Sequence, residues 1–131
     1  MGTLSEPFRA RFRHVERLEP YAEEEIAEVA AGAARKLGTE VSPEAAREIS
    51  RRSKGTPREA IRILDRARDV AQLAGAGGID LAHVGQAATR LGIDANGLDR
   101  VERAAVELLL DRGRPMGREA LAARLGVDLD T

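Results

Sequence analysis

Ser53-Lys54-Gly55-Thr56-Pro57-Arg58-Glu59 is the stretch on which the fold turns. Gly55 ends one helix and Thr56 opens the next. Thr56 suits an N-cap, Pro57 the first helical position, and Glu59 the third residue of a capping box. Arg58 breaks this pattern. It sits in the first helical turn, where the helix dipole disfavours a cation. One reading is a solvated arginine that bends away. The other is that Arg58 and the helix start share an anion such as a phosphate.

Outward from this point the chain reads as a series of amphipathic helices. Towards the N-terminus, a helix over about 22–36 carries Glu23, Glu24 and Glu25 at its start and Arg35 and Lys36 at its end, with Gly38 as the stop. Ile26, Val29, Ala30, Ala33 and Leu37 fall on one face. Ser42-Pro43-Glu44 opens a second helix that ends near Ser53, with Ala45, Ala46 and Ile49 inward. The third runs from Pro57 to about Leu73, with Ile61, Leu64, Ala67 or Arg68, and Ala71 inward. Gly75-Ala76-Gly77-Gly78 breaks it and reads as a linker. Asp80 caps a fourth helix, with Leu81, Val84, Ala88 and Leu91 inward and Gly92 as the stop; His83 at its start is expected to be exposed. Four helices with short connections predict a small bundle over 22–92.

Residues 93–97 read as a linker. A fifth helix is expected over about 99–111, its apolar residues Val101, Ala104, Ala105, Leu108 and Leu109. Gly113-Arg114-Pro115-Met116-Gly117 reads as a turn or a very short strand, and a sixth helix follows over about 118–125. Helix, short connector, helix and glycine turn is how a winged helix begins. Ahead of the bundle, His14-Val15-Glu16-Arg17-Leu18 alternates like a strand, with no second strand to pair with. The expected fold is therefore mainly α: an orphan strand, a four-helix bundle and an incomplete winged helix. The sequence reads as cut at both ends.

Composition narrows the function. The 131 residues carry a formal net charge of −1, so any nucleic-acid surface must be local. No cysteine is present, which excludes disulfides and thiolate metal sites, and His14 and His83 lie far apart. No apolar run reaches the roughly 20 residues needed to span a bilayer. The start, Met1-Gly2-Thr3-Leu4-Ser5-Glu6, lacks a basic segment and an apolar core, so no signal peptide is expected and the cytoplasm is the expected location. Charge does concentrate around Arg58. From Arg47 to Arg68, the basic residues Arg47, Arg51, Arg52, Lys54, Arg58, Arg62, Arg66 and Arg68 face only Glu48, Glu59 and Asp65. That surplus is either a solvated helix face or a surface for nucleotide phosphate, DNA or an acidic neighbour.

Three groups of residues then add up to a family. Glu6-Pro7-Phe8-Arg9-Ala10-Arg11-Phe12, Val15-Glu16-Arg17-Leu18-Glu19-Pro20-Tyr21 and Arg51-Arg52-Ser53-Lys54-Gly55-Thr56-Pro57-Arg58 resemble the RuvB family of bacterial Holliday-junction branch-migration helicases. The resemblance continues through Leu91-Gly92-Ile93-Asp94, Gly97-Leu98-Asp99 and Leu121-Ala122-Ala123-Arg124-Leu125-Gly126. It implies a hexameric AAA+ ATPase with a nucleotide-binding domain, a helical lid and a winged-helix head. On that pattern residues 1–23 end the large domain, 24–94 form the lid and 97–131 begin the head. The resemblance makes Arg58 the lid arginine that senses the γ-phosphate (sensor 2), with Pro57 beside it. Arg11 becomes the finger offered in trans to the neighbouring subunit's nucleotide, and Tyr21 the aromatic residue beside the adenine.

The implied cofactor is ATP or ADP, with Mg²⁺ in the longer protein, and the implied partners are further copies of the chain, RuvA and Holliday-junction DNA, with no membrane. The implied role lies in recombination, DNA repair and the SOS response. These 131 residues contain no phosphate-binding loop or Mg²⁺-binding acidic motif, so alone they are expected to bind nucleotide weakly and not to hydrolyse it. Arg13-His14 stands where the family pattern has Gly-Ile. Two other readings remain open at this point: a non-enzymatic DNA-binding or regulatory helical module, and the lid of another AAA+ protein such as a clamp loader.

Overall fold

The computed structural model describes residues 11–14, 16 and 18–128. Among them are six helices: α1 (Glu23–Lys36), α2 (Pro43–Arg52), α3 (Pro57–Leu73), α4 (Leu81–Leu91), α5 (Arg100–Arg112) and α6 (Arg118–Leu125). Every helix lies where the apolar periodicity and the Pro, Gly and Asp punctuation put it. Ser42 accepts the Ala45 N–H at 3.2 Å, and Asp99 accepts from Val101 and Glu102, both at 2.8 Å.

Helices α1 to α4 form the bundle. α1 packs on α2 and α3, and α4 packs on α3 and α2. Ile26, Ile49, Ile63, Leu64 and Val84 are fully buried at its centre. Each such side chain contributes about 1.5–3 kcal/mol of transfer free energy. Around them lie Ala30, Ala34, Ala45, Ala60, Ala67 and Ala87, whose small size lets the helix axes approach. Two connections are also tied together. The Ile79 N–H donates to the Glu40 carbonyl at 2.8 Å and the Ser42 N–H to the Ile79 carbonyl at 2.9 Å, a single parallel bridge between Val41 and Ile79. The stretch after α3 thus ends in a buried anchor, Ile79.

Several expectations need correction. Along α3 the buried stripe is Ala60, Ile63, Leu64, Ala67, Val70 and Ala71, while Ile61 is exposed. α3 touches three other helices, so its buried face is wide and starts one residue earlier than the narrow stripe predicted. Leu37 and Leu81 are exposed because each sits at a helix end, beyond the packed layer. His83 is buried rather than exposed: its Nδ1 accepts the Asp80 N–H at 3.1 Å while the Asp80 carboxylate accepts the His83 N–H at 3.0 Å. The expected strand is also not seen. Among its described residues His14, Glu16 and Leu18 are irregular, and Val15 and Arg17 lie outside the described residues. A lone strand has no ladder to satisfy its backbone.

α5 and α6 pack on each other and on no other helix. α5 has no buried residue, and α6 buries only Ala122. No strand accompanies them among the described residues, so their apolar faces are only half covered.

Candidate functional site

The loop between α2 and α3 is held by serines. The Ser53 side chain is fully buried, and its hydroxyl donates to the Ser50 carbonyl at 2.6 Å. The Ser50 hydroxyl in turn donates to the Glu23 carbonyl at 2.6 Å, which fastens the start of α1 to the end of α2. Glu25 accepts the Ala22 N–H at 2.8 Å and squares off the same corner. The glutamates at this helix start therefore do more than complement its dipole.

That fastening lays residues 20–21 over residue 55. Gly55 has φ +69°, and a Cβ there would stand 3.2 Å from the Pro20 Cβ and 3.3 Å from the Tyr21 carbonyl oxygen. Only glycine combines the left-handed backbone with so close an approach. The preceding Lys54 is also left-handed, with φ +54°. Two such residues in succession turn the chain sharply, so α3 starts beside Tyr21.

Thr56 is the N-cap of α3 by backbone geometry, with Pro57 at the first helical position. The expected capping box does not form. The Thr56 N–H already donates to the Ser53 carbonyl at 3.0 Å, which removes the donor that Glu59 would have served. Glu59 accepts from Arg62 instead, at 2.9 Å.

The basic cluster sorts itself in the same way. Arg51 and Arg52 share Glu48, Arg62 pairs with Glu59, Arg66 with Asp69, and Lys54 with Glu102. Arg68 lies 3.9 Å from Asp65. Partial burial alone would raise the Glu48 carboxyl, but hydrogen bonds and charge from Arg51 and Arg52 outweigh it and hold Glu48 below its ordinary value. Among the described residues, only Arg47 and Arg58 of the eight basic side chains make no hydrogen bond or ion pair. Arg47 lies beside Glu23 and Glu24 in a shallow groove. Arg58 is exposed, on the first turn of a 17-residue helix, with no acidic partner among the described residues.

The structure thus sets the Tyr21 backbone against Gly55, two residues before Pro57 and three before Arg58. Tyr21 is about half exposed, at 53%. Arg11 is exposed on the preceding segment and makes no bond to Tyr21, Pro57 or Arg58. Sequence reasoning missed Ser50 and Ser53, which hold this corner, and Gly97, which faces the Arg52 carbonyl. Buried serines give no periodic signal, and Gly97 looked like one more linker glycine.

Residues 21–94 match the family model of the RuvB AAA lid domain. The chain is 45% identical to the Holliday junction branch migration complex subunit RuvB of Anaeromyxobacter sp. (strain K), over 99% of this chain and 39% of that protein. It is 42% identical to the subunit of the same name from Myxococcus xanthus, over 99% of this chain and 38% of that one. The Thermotoga maritima RuvB Holliday junction branch migration motor shares the fold with a TM-score of 0.88 at 39% identity, covering 98% of this chain and 44% of that one. The chain therefore spans about two fifths of the length of the curated relatives it matches.

Proposed function

The chain belongs to the RuvB family, and from that membership we propose that it supplies the lid and the start of the head of an ATP-driven motor that migrates Holliday junctions. Membership favours this reading over a clamp-loader lid or a free-standing DNA-binding module. In the proposal residues 24–94 are the lid, 97–131 open the winged-helix head, and 1–23 close the large domain. The motor would assemble from copies of the chain on junction DNA, with RuvA as partner, in the cytoplasm. No helix among the described residues is long and apolar enough to cross a membrane.

The observation that carries the nucleotide assignment is Arg58: exposed, without an acidic partner among the described residues, and on a helix start three residues past Gly55, against which the Tyr21 backbone lies. An exposed guanidinium and backbone N–H groups at a helix N-terminus fit a phosphate, and a half-exposed aromatic ring fits a purine. Mg²⁺–ATP would supply the γ-phosphoryl group whose transfer to water drives the motor. Tyr21 would orient the base and Pro57 would fix the start of α3. Arg58 would lie against the γ-phosphate of the same subunit and balance negative charge there. Arg11 would do so from the neighbouring subunit. Guanidinium groups aimed at developing charge in this way are worth roughly 10³–10⁵ in rate in NTPases when supplied as an arginine finger.

The test uses a full-length RuvB ring in which residues 1–131 replace the matching stretch of the Anaeromyxobacter relative. Arg11→Ala rings and phosphate-loop-dead rings should each be inactive, and mixing the two subunits should partly restore ATP hydrolysis. The Arg11→Ala subunit keeps its own site and takes a finger from its neighbour. Arg58→Ala mixed with the loop-dead subunit should restore nothing, because sensor and loop must share one site. Equal recovery in both mixtures, or none in either, overturns the assignment.

A further inference from the structure

α5 rests on none of the bundle helices, yet the loop before it is held firmly. Arg52, the last residue of α2, grips that loop at both ends. Its Nη1 donates to the Asp94 carbonyl at 2.8 Å, while Nε and Nη2 are braced on Glu48. Its backbone carbonyl faces Gly97, so closely that a Cβ built on Gly97 would overlap it, and Gly97 has φ +76°. Space and backbone both demand glycine there.

The loop is also closed on itself. The Asp94 N–H donates to the Leu98 carbonyl at 3.0 Å, and the Asp94 carboxylate accepts from Asn96 and Leu98 at 2.8 and 2.9 Å. What the sequence presents as a linker is a compact hydrogen-bonded unit. Two residues past Arg52, the Lys54 ammonium lies 2.7 Å from Glu102 in the first turn of α5. Glu102 also accepts the Asp99 N–H at 3.0 Å, so the pair pulls on the capped end of that helix.

Residues 53–55 therefore have two faces. One carries Tyr21 and runs into Arg58; the other holds the base of α5. We propose that Arg52, Gly97 and the Lys54–Glu102 pair form a stiff joint through which the loop presenting Arg58 sets the direction of α5. A displacement of that loop is then passed to α5 instead of being absorbed in residues 94–98. These are positioning residues, and none of them is assigned to touch nucleotide. The Lys54–Glu102 pair is exposed and contributes little by itself. The Arg52–Gly97 contact carries most of the stiffness. What the joint transmits rests on the function proposed above; the joint itself does not.

The direct test is residual dipolar couplings of backbone amides in the 131-residue chain. In the unmodified chain the amides of α1–α4 and of α5 should fit one alignment tensor. Gly97→Ala should force two tensors, with the α1–α4 couplings still fitting the bundle. Arg52→Gln, which loses the bond to Asp94 without adding bulk, should do the same and serves if Gly97→Ala does not fold. Lys54→Glu should reduce the couplings of α5 alone, and Lys54→Glu with Glu102→Lys should restore them. Two tensors in the unmodified chain, or one in both Gly97→Ala and Arg52→Gln, would overturn the joint.

In the full-length ring the same variants should keep ATP turnover and lose junction migration per ATP hydrolysed. Turnover and migration falling in proportion would overturn the transmission. An unmodified ring that hydrolyses no ATP would count against the proposed function instead, and the dipolar couplings would still decide the joint.

Discussion

Replacing Gly55 by alanine should separate backbone strain from the contact that seats Tyr21. Gly55 and Gly75 have nearly the same φ, +69° and +68°. Alanine at either position costs about 1 kcal/mol or somewhat more for a left-handed backbone. Only at Gly55 does the new methyl group meet neighbours, the Pro20 Cβ at 3.2 Å and the Tyr21 carbonyl at 3.3 Å, whereas nothing lies within 4 Å at Gly75. Overpacking adds about 1–3 kcal/mol where neighbours cannot yield. Because 20–21 is pinned by the Ser50–Glu23 bond, we expect Gly55→Ala to cost about 2–3 kcal/mol and Gly75→Ala about 1 kcal/mol. For a domain of 60–100 residues each kcal/mol lowers Tm by about 4–8 °C. Thermal and urea melts followed by far-UV circular dichroism give the two costs. Tyr21 is the only tyrosine and the chain has no tryptophan, so tyrosine emission and anisotropy report this contact alone. Gly55→Ala should change both signals and Gly75→Ala neither. Equal costs for the two variants, with an unchanged Tyr21 signal, would refute the reasoning.

Amide hydrogen exchange should show stronger protection along α3, whose buried face runs from Ala60 to Ala71, than along α5, which buries no residue; equal or reversed protection would count against the packing described. Asp94 should resist protonation. The Leu98 N–H above all, then the Asn96 N–H and the charges of Arg103 and Arg52, hold its carboxyl below the ordinary value despite partial desolvation. Its contribution is therefore present above the unfolded pKa of about 3.9 and is lost as pH falls through the lower folded value. The amide shifts of Asn96 and Leu98 should move only in that acid range, and Asp94→Asn should abolish the movement. A midpoint at or above the ordinary carboxylate value would contradict this. The 131-residue chain alone should release no phosphate from ATP above a protein-free blank, since its residues offer arginines but no phosphate cradle; turnover that survives repurification would overturn that expectation.

The helices and the oddity of Arg58 were legible from local chemistry alone. Pro43, Pro57, Asp80, Asp99 and Gly92 act on their own few residues of backbone, so helix boundaries follow from local chemistry. Arg58 was legible for the same reason: a cation on a helix start is a local anomaly. The family resemblance rested on this stretch together with residues 6–12 and 15–21, and the resemblance alone pointed to Arg11 and Tyr21. Tertiary structure decided which apolar stripe of α3 is buried. Two overlapping stripes have the same helical period, and only the positions of α1, α2 and α4 choose between them. It also drew Glu59 away from Thr56, put His83 inside, and set Gly97 against Arg52, 45 positions apart. Each of these depends on a partner distant in sequence or already satisfied by another bond. Pattern reading treats residues by type and spacing. Whether a donor is still free, or a glycine faces a carbonyl, is fixed only when the chain folds back on itself.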